Sequence, residues 1–265
     1  PIPSTDPAVQ RAMAAMQAQQ AWTLEQQISI CEIPAPPFME MRRAEEFQRR
    51  LRSFGYPDAR IDSIGNVIAE IGRGDGPVVM IAGHLDTVFP EETNVKTTRT
   101  GNRIAGPGIG DDCRGLAVVL TLAKVLKESK LEPRGKVYLV GNVGEEGPGN
   151  LRGVRYLMNT KFPKKIDYFI SVDGAGGGAI TSRAVGSHRY TVSFEGPGGH
   201  SFGAFGLVSP AFAMGHAMLE LSRIAVPAKP KTTFSASVFG GGTSVNAIPN
   251  EVWVEVDLRS EAPVE

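Results

Sequence analysis

Three short segments carry residues that can do chemistry together: Gly83-His84-Leu85-Asp86-Thr87, Gly110-Asp111-Asp112-Cys113-Arg114-Gly115 and Gly144-Glu145-Glu146-Gly147. They bring one imidazole and several carboxylates to the ends of apolar runs, or to a Gly-rich loop that opens a helix. Carboxylates gathered there repel one another unless a cation neutralises them. The pattern points to a metal site holding more than one ion. His84 and Asp86 lie on one side of an extended segment, so Asp86 can reach the His84 ring and fix its tautomer. Glu145 and Glu146 suit separate tasks, one binding metal and the other acting as a general base on water. A carboxylate from Asp111-Asp112, in a loop whose glycines permit close approach, can bridge two cations. Asp173 follows another apolar run and is a further candidate ligand. Taken singly, each has an ordinary alternative: a surface His–Asp pair, a solvated helix N-terminus where Asp is common, a polar loop. Their order along the chain makes them a set.

The elements that must position these residues alternate. Val78 to Ala82 and Lys136 to Val143 are apolar runs expected to be buried strands, and Asp167 to Val172 reads as a further strand. Gly115 to Lys127 reads as an amphipathic helix, and another runs through Arg152 to Asn159. A layered α/β domain with a largely parallel sheet follows, and in such sheets sites form at the carboxyl ends of strands. His84, Glu145, Glu146 and Asp173 all fall there. Upstream, Asp6 to Ile30 reads as one helix, and Met39 to Phe54 as another with Phe47 and Leu51 on one face and Arg42, Arg43, Arg49 and Arg50 elsewhere. Gly55 is its C-cap candidate. Residues 60–71 suggest a pair of short strands. The texture changes near residues 183–187. Arg189 to Phe194, Thr232 to Phe239 and Glu251 to Leu258 alternate polar and apolar, the last burying Val252, Val254, Val256 and Leu258. A helix over Ser209 to Ala225, capped by Ser209 with Pro210 at its first position, gives a β-α-β-β order and a small antiparallel α+β domain.

Composition excludes other classes. The 265 residues carry 28 basic and 28 acidic side chains, so no global field favours nucleic acid or an anionic membrane. No apolar stretch approaches the ~20 residues that span a bilayer. Two cysteines, Cys31 and Cys113, give little sign of a disulfide framework. The chain starts at Pro1 without methionine, which points to a segment removed before it and leaves cytoplasmic and exported locations open.

The order His-x-Asp, Asp, Glu-Glu, Asp resembles that of the co-catalytic zinc exopeptidases and amidohydrolases, which include acetylornithine deacetylase, succinyl-diaminopimelate desuccinylase, aminoacylase, peptidase T and glutamate carboxypeptidase. Ile33-Pro34-Ala35-Pro36 resembles the N-terminal loop of that family. Gly198-Gly199-His200-Ser201, and Asn246-Ala247-Ile248-Pro249 through Asp257-Leu258-Arg259, resemble its inserted lid. The resemblance implies a zinc-exopeptidase (phosphorylase/hydrolase-like) layered α/β catalytic domain over 1–185. It also implies a partial ferredoxin-like lid and dimerisation domain over 186–265. It implies two zinc ions, with cobalt or manganese as substitutes, held by His84, Asp112 as the bridge, Glu146 and Asp173. Glu145 would be the general base, Asp86 the group orienting His84, and His200 the group polarising the scissile carbonyl. Asn246 and Arg259 would hold the substrate's polar end, Arg suiting a carboxylate through its fork. The implied reaction is hydrolysis of an amide bond in small peptides or N-acyl amino acids by a homodimer joined through the lid, without nucleic acid or membrane partners. The resemblance also implies a cis peptide at Asp112–Cys113 and a last histidine ligand in a C-terminal return, which His188, His200 and His216 do not match. A non-catalytic relative serving as a binding module is the alternative.

Overall fold

The computed structural model describes residues 5–159, 165–174 and 178–262, and the chain divides into two units, Pro1–Gly177 and Gly178–Glu265. The first unit opens with helices α1 (Pro7–Ala18), α2 (Gln20–Cys31) and α3 (Met41–Ser53). Asp6 caps α1, its carboxylate accepting the Ala8 N–H at 2.7 Å. The single helix expected from Asp6 to Ile30 is two, because Gln19 (φ −86°, ψ 8°) turns its N–H back to Met16 and Gln17 and leaves helical geometry. Gly55, at φ +96°, follows the C-cap of α3 as expected.

Strands β1 (Arg60–Ile61), β2 (Val67–Ile71) and β3 (Val78–His84) follow, then the hairpin β4 (Thr98–Thr100) and β5 (Arg103–Ala105), helix α4 (Cys113–Glu128), strand β6 (Lys136–Asn142), helix α5 (Arg152–Asn159) and strand β7 (Tyr168–Ser171). The sheet order is β1-β2-β6-β3-β7. Its centre is parallel, β3 pairing with both β6 and β7, because α4 and α5 carry the chain back between these strands. Beyond β6 it is antiparallel: β2 runs against β6, and a short turn joins β1 to β2. The sheet is therefore mixed. Register aligns His84 with Asn142, and Ala82 with Ser171. The loops after β3, β6 and β7 consequently leave the same sheet edge.

Both faces are covered at the centre of the sheet, whereas the edge strand β7 is exposed. On one face, α4 presents Leu116, Val119, Leu120 and Ala123, all fully buried and spaced for one helix face, against Phe47, Leu51, Leu85 and Leu139. Each such large side chain contributes about 1.5–3 kcal/mol by leaving water. On the other, Leu157 of α5 joins Ile68, Met80, Ala82, Tyr138 and Val140.

The second unit holds β8 (Gly186–Glu195), β9 (Gly199–His200), α6 (Pro210–Ser222), β10 (Thr232–Gly241), β11 (Ala247–Ile248) and β12 (Glu251–Ser260). An antiparallel sheet β10-β12-β8 forms, and β9 pairs with β11 in a separate ribbon. Ser209 occupies the N-cap of α6, but its side chain makes no capping bond. Along β12, Val252 and Val254 are buried, Val256 is half-buried and Leu258 is exposed, so the expected apolar face is only partly covered. A 13-residue helix is about 20 Å long while a ten-residue strand reaches about 33 Å, so α6 cannot shield all of β12. Among the described residues, no helix is long and apolar enough to cross a membrane.

Candidate metal centre

His84 ends β3 with only 2% of its side chain exposed. Its Nδ1 lies 3.0 Å from the backbone oxygen of Asp86, which can only accept, so Nδ1 carries a proton. The Nε2 atom faces Asp111 Oδ1 at 2.9 Å and Asp173 Oδ1 at 3.9 Å. Burial alone would lower the His84 pKa, yet Asp86, Asp112 and Asp111 raise it to about 10. Of these three, Asp111 lies on the Nε2 side of the ring, together with Asp173.

Asp86 lies beside the His84 ring, as its expected orienting part requires, and its carboxylate also has a second task. It stands 3.6 Å from His84 Nδ1, while its oxygens accept the backbone N–H groups of Glu145 at 3.0 Å and Glu146 at 2.8 Å. It thus ties the loop after β3 to the loop after β6. Burial would raise its pKa, but these bonds and His84 keep it below the ordinary carboxylate value. Glu145 and Glu146 are half-buried. Their pKa values are raised, first by burial and also by neighbouring carboxylates, Asp111 being the next cause for Glu146.

Asp112 departs from its expected place as a ligand. It is fully buried and caps α4: Oδ1 accepts the Gly115 N–H at 2.9 Å, and Oδ2 the His84 N–H at 2.8 Å. Burial raises its pKa to about 8 despite the His84 charge and these donors. Glycine is required at 83 and 115, because a Cβ at either position would run into the Asp112 carboxylate and neighbouring backbone. The side chain aimed at His84 Nε2 is that of Asp111 instead. The cis peptide likewise lies at Asp111–Asp112, one position before the expected bond; Cys113 already belongs to α4.

Two donor groups result, each with ligand atoms within 4.8 Å of one another: His84 with Glu145 and Glu146, and His84 with Asp111 and Asp173. One imidazole nitrogen and four carboxylates form a donor set suited to zinc, manganese or cobalt. Mutual repulsion in this partly buried cluster is what a cation relieves. Sequence reasoning missed Asp111 as the residue facing His84; the doubled aspartate was its only signal. It also assigned Arg43 and Arg50 away from the apolar face, whereas both are buried. Burial of Arg43 is possible because its guanidinium donates to the carbonyls of Leu85, Ile33 and Cys31. Burial lowers its pKa to about 10, against the opposing effect of Asp86. Cys31 and Cys113, 82 residues apart, form a disulfide that the spacing did not suggest. It joins the end of α2 to the start of α4.

In the second unit, β9 and β11 set His200 opposite Ala247, and the Ser201 N–H donates to Asn246 O at 2.9 Å. The His200 Nδ1 accepts the N–H groups of Phe202 and Gly203, both at 3.3 Å, so a neutral ring carries its proton on exposed Nε2. Arg259 is not brought to this ribbon. It lies eight residues along β12 from Glu251, about 27 Å of extended chain, and its Nε donates to Asp257 at 2.7 Å. The Asn246 amide oxygen accepts the Ser244 hydroxyl at 2.6 Å.

The profile of Peptidase family M28 matches residues 66–192, and that of the Peptidase dimerisation domain matches residues 183–265. Carboxypeptidase G2 of Pseudomonas sp. is 28% identical over 223 residues, 80% of this chain and 52% of the relative. Succinyl-diaminopimelate desuccinylase of Corynebacterium glutamicum is 26% identical over 245 residues, 87% of this chain and 64% of the relative. The chain therefore spans about half to two-thirds of the length of these relatives. Among solved structures, a Staphylococcus aureus tripeptidase is 22% identical with a TM-score of 0.66, covering 91% of this chain and 66% of that one. A Bacillus subtilis dinuclear metal-binding peptidase of the M20 family is 18% identical with a TM-score of 0.61, covering 94% and 66%. These likenesses show a shared fold. The two family models and the relatives make the chain similar to peptidases and amidohydrolases, in agreement with the motifs at its strand ends.

Proposed function

We propose that the protein hydrolyses an amide bond in small peptides or N-acyl amino acids at a dinuclear metal centre. The observation that carries this reading is the convergence of His84 with two carboxylate pairs at one sheet edge. In this reading His84, Asp111 and Asp173 hold one ion and Glu146 contributes to the other, with Asp111 replacing Asp112 as the shared carboxylate. Zinc is the proposed metal, with cobalt or manganese able to substitute. When bound, the ions polarise a carbonyl and make water acidic. Glu145, with its raised pKa, accepts a proton from the attacking water and passes it to the leaving amine. The Nε2–H tautomer of His200 suits donation to the developing oxyanion. Asn246 and Arg259 are proposed to serve the substrate's polar end separately. Residues 1–185 form the catalytic part and 186–265 the lid, through which two copies associate.

The test is metal analysis of purified protein together with hydrolysis of a panel of dipeptides and N-acyl amino acids by the full-length protein. Two equivalents of zinc, and chelator-sensitive cleavage of one class, are expected. A protein that takes up no metal and cleaves nothing would overturn the reading.

A further inference from the structure

The first turn of α3 touches both loops of the proposed metal centre without supplying a ligand. Arg43 Nη1 donates to the carbonyl of Leu85 at 2.6 Å, the residue between His84 and Asp86. Its remaining donors hold Ile33 and Cys31, and the Thr87 N–H reaches Ala35 O at 2.9 Å, so the N-terminal loop is fastened to the same segment. Glu40 stands three residues earlier, about one turn away. Only 3% of its side chain is exposed, and both its oxygens accept Arg152 Nη2, at 2.8 and 2.7 Å.

Arg152 opens α5, just past the Glu145-Glu146 loop. Its guanidinium lies 4.7 Å from the Phe38 ring centroid, a cation–π arrangement. Its Nη1 is buried without a hydrogen-bond partner and is the nearest atom to where a Cβ on Gly144 would stand. Gly144 immediately precedes Glu145. One helical turn therefore reaches the β3 loop through Arg43 and the β6 loop through Glu40 and Arg152. The two loops also meet through Asp86, which accepts from both glutamate amides.

We propose that Glu40, Arg43 and Arg152 are positioning residues forming a clamp that fixes the distance between His84 and the Glu145-Glu146 pair. The clamp rests on the metal-centre reading. It acts by holding backbone, since none of the three side chains belongs to either donor group. Breaking the Glu40–Arg152 link frees Gly144 to shift, and with it both glutamates. Outer residues that orient metal ligands typically change affinity by ~10–100-fold.

The experiment titrates cobalt(II) into metal-free protein, read by calorimetry and by the visible absorption of the bound ion, for wild type, Glu40→Gln, Arg43→Lys, Arg152→Lys and Arg152→Met. Circular dichroism and thermal melting of each metal-free variant monitor the fold. Glu40→Gln and Arg152→Met are expected to weaken cobalt binding by about tenfold or more and to shift the absorption band. Arg152→Lys, which keeps the charge, is expected to be intermediate, and so is Arg43→Lys. The double variant Glu40→Gln/Arg152→Met should bind no more weakly than the worse single one, because the pair acts as a unit. If Arg152→Met does not fold, Arg152→Lys decides. Variants that melt like wild type and bind cobalt with unchanged affinity and spectrum would overturn the clamp alone. Failure of wild type to bind cobalt would overturn the metal centre and, with it, the clamp.

Discussion

His84 and His200 illustrate two ways of holding an imidazole. His84 is buried at the end of a central strand, its ring nitrogens facing Asp86 and Asp111 and its backbone N–H bound to Asp112. His200 is exposed on a two-stranded ribbon, and two amide N–H groups set its tautomer. The surroundings differ in the same sense. The first unit has large apolar clusters on both sheet faces, whereas Pro210, Val252 and Val254 are the buried apolar side chains among the described residues of the second. A metal-binding group needs fixed geometry and neutralisation inside a low-dielectric site, which a packed layer supplies. A group that meets substrate needs a set tautomer and open access.

This contrast is sharpest for core and surface phenylalanines. Phe47→Ala should lower stability by about 3–5 kcal/mol because Phe47 is fully buried. Phe212→Ala, at a position 77% exposed, should change it by less than ~0.5 kcal/mol. Chemical denaturation of each variant checks both, and a large loss at Phe212 would mean that the second unit hides a core through association. In the full-length protein, Glu145→Gln should reduce kcat by at least ~10²-fold with metal content nearly unchanged, measured by steady-state kinetics and metal analysis. His200→Ala should also cost about 10²-fold in kcat, and it should leave metal affinity and melting of the first unit untouched. Loss of metal on changing His200 would erase the division of labour between the two histidines.

The two adjacent aspartates offer a finer division. Asp111→Asn should weaken metal binding while the metal-free protein melts almost normally. Asp112→Ala should instead lower stability by about 1–2 kcal/mol, since a helix cap is lost. The opposite pattern would restore Asp112 as the ligand. Surface ion pairs give the smallest effect. Hydrogen bonds from Arg49 above all, and from Arg50, hold Glu46 down at about 2 although partial burial opposes them. A depressed folded-state pKa adds stability above the ordinary carboxylate value of 4.5, and this is lost as pH falls through about 2. Solvent screening keeps the gain below ~1 kcal/mol. Wild type should therefore exceed Glu46→Gln slightly at pH 6, and the difference should vanish near pH 2. A gap that persists at low pH would assign it to packing.

The strand ends were legible because apolar runs and the acidic turns after them are local patterns, and the register of β3, β6 and β7 follows from their helical crossovers. The β-α-β-β order of the second unit was legible for the same reason, through the alternation in β8, β10 and β12. What alternation does not encode is how far a helix covers a strand, so Leu258 was misplaced. Choosing between Asp111 and Asp112 needs side-chain direction, which sequence adjacency does not supply. Arg43 and the Cys31–Cys113 disulfide escaped because their partners are distant in sequence. A charged residue on a helix is expected in water unless carbonyls happen to converge on it.

The central claim is that His84, Asp111, Asp173 and the glutamate pair form one dinuclear centre. Crystals of the zinc-loaded protein, examined by anomalous scattering at the zinc edge, test it directly. Two peaks about 3.5–4 Å apart beside His84, with Asp111 between them and Asp112 still capping α4, are the predicted result. A single peak away from His84, or zinc held by Asp112 while Asp111 points to solvent, would contradict it.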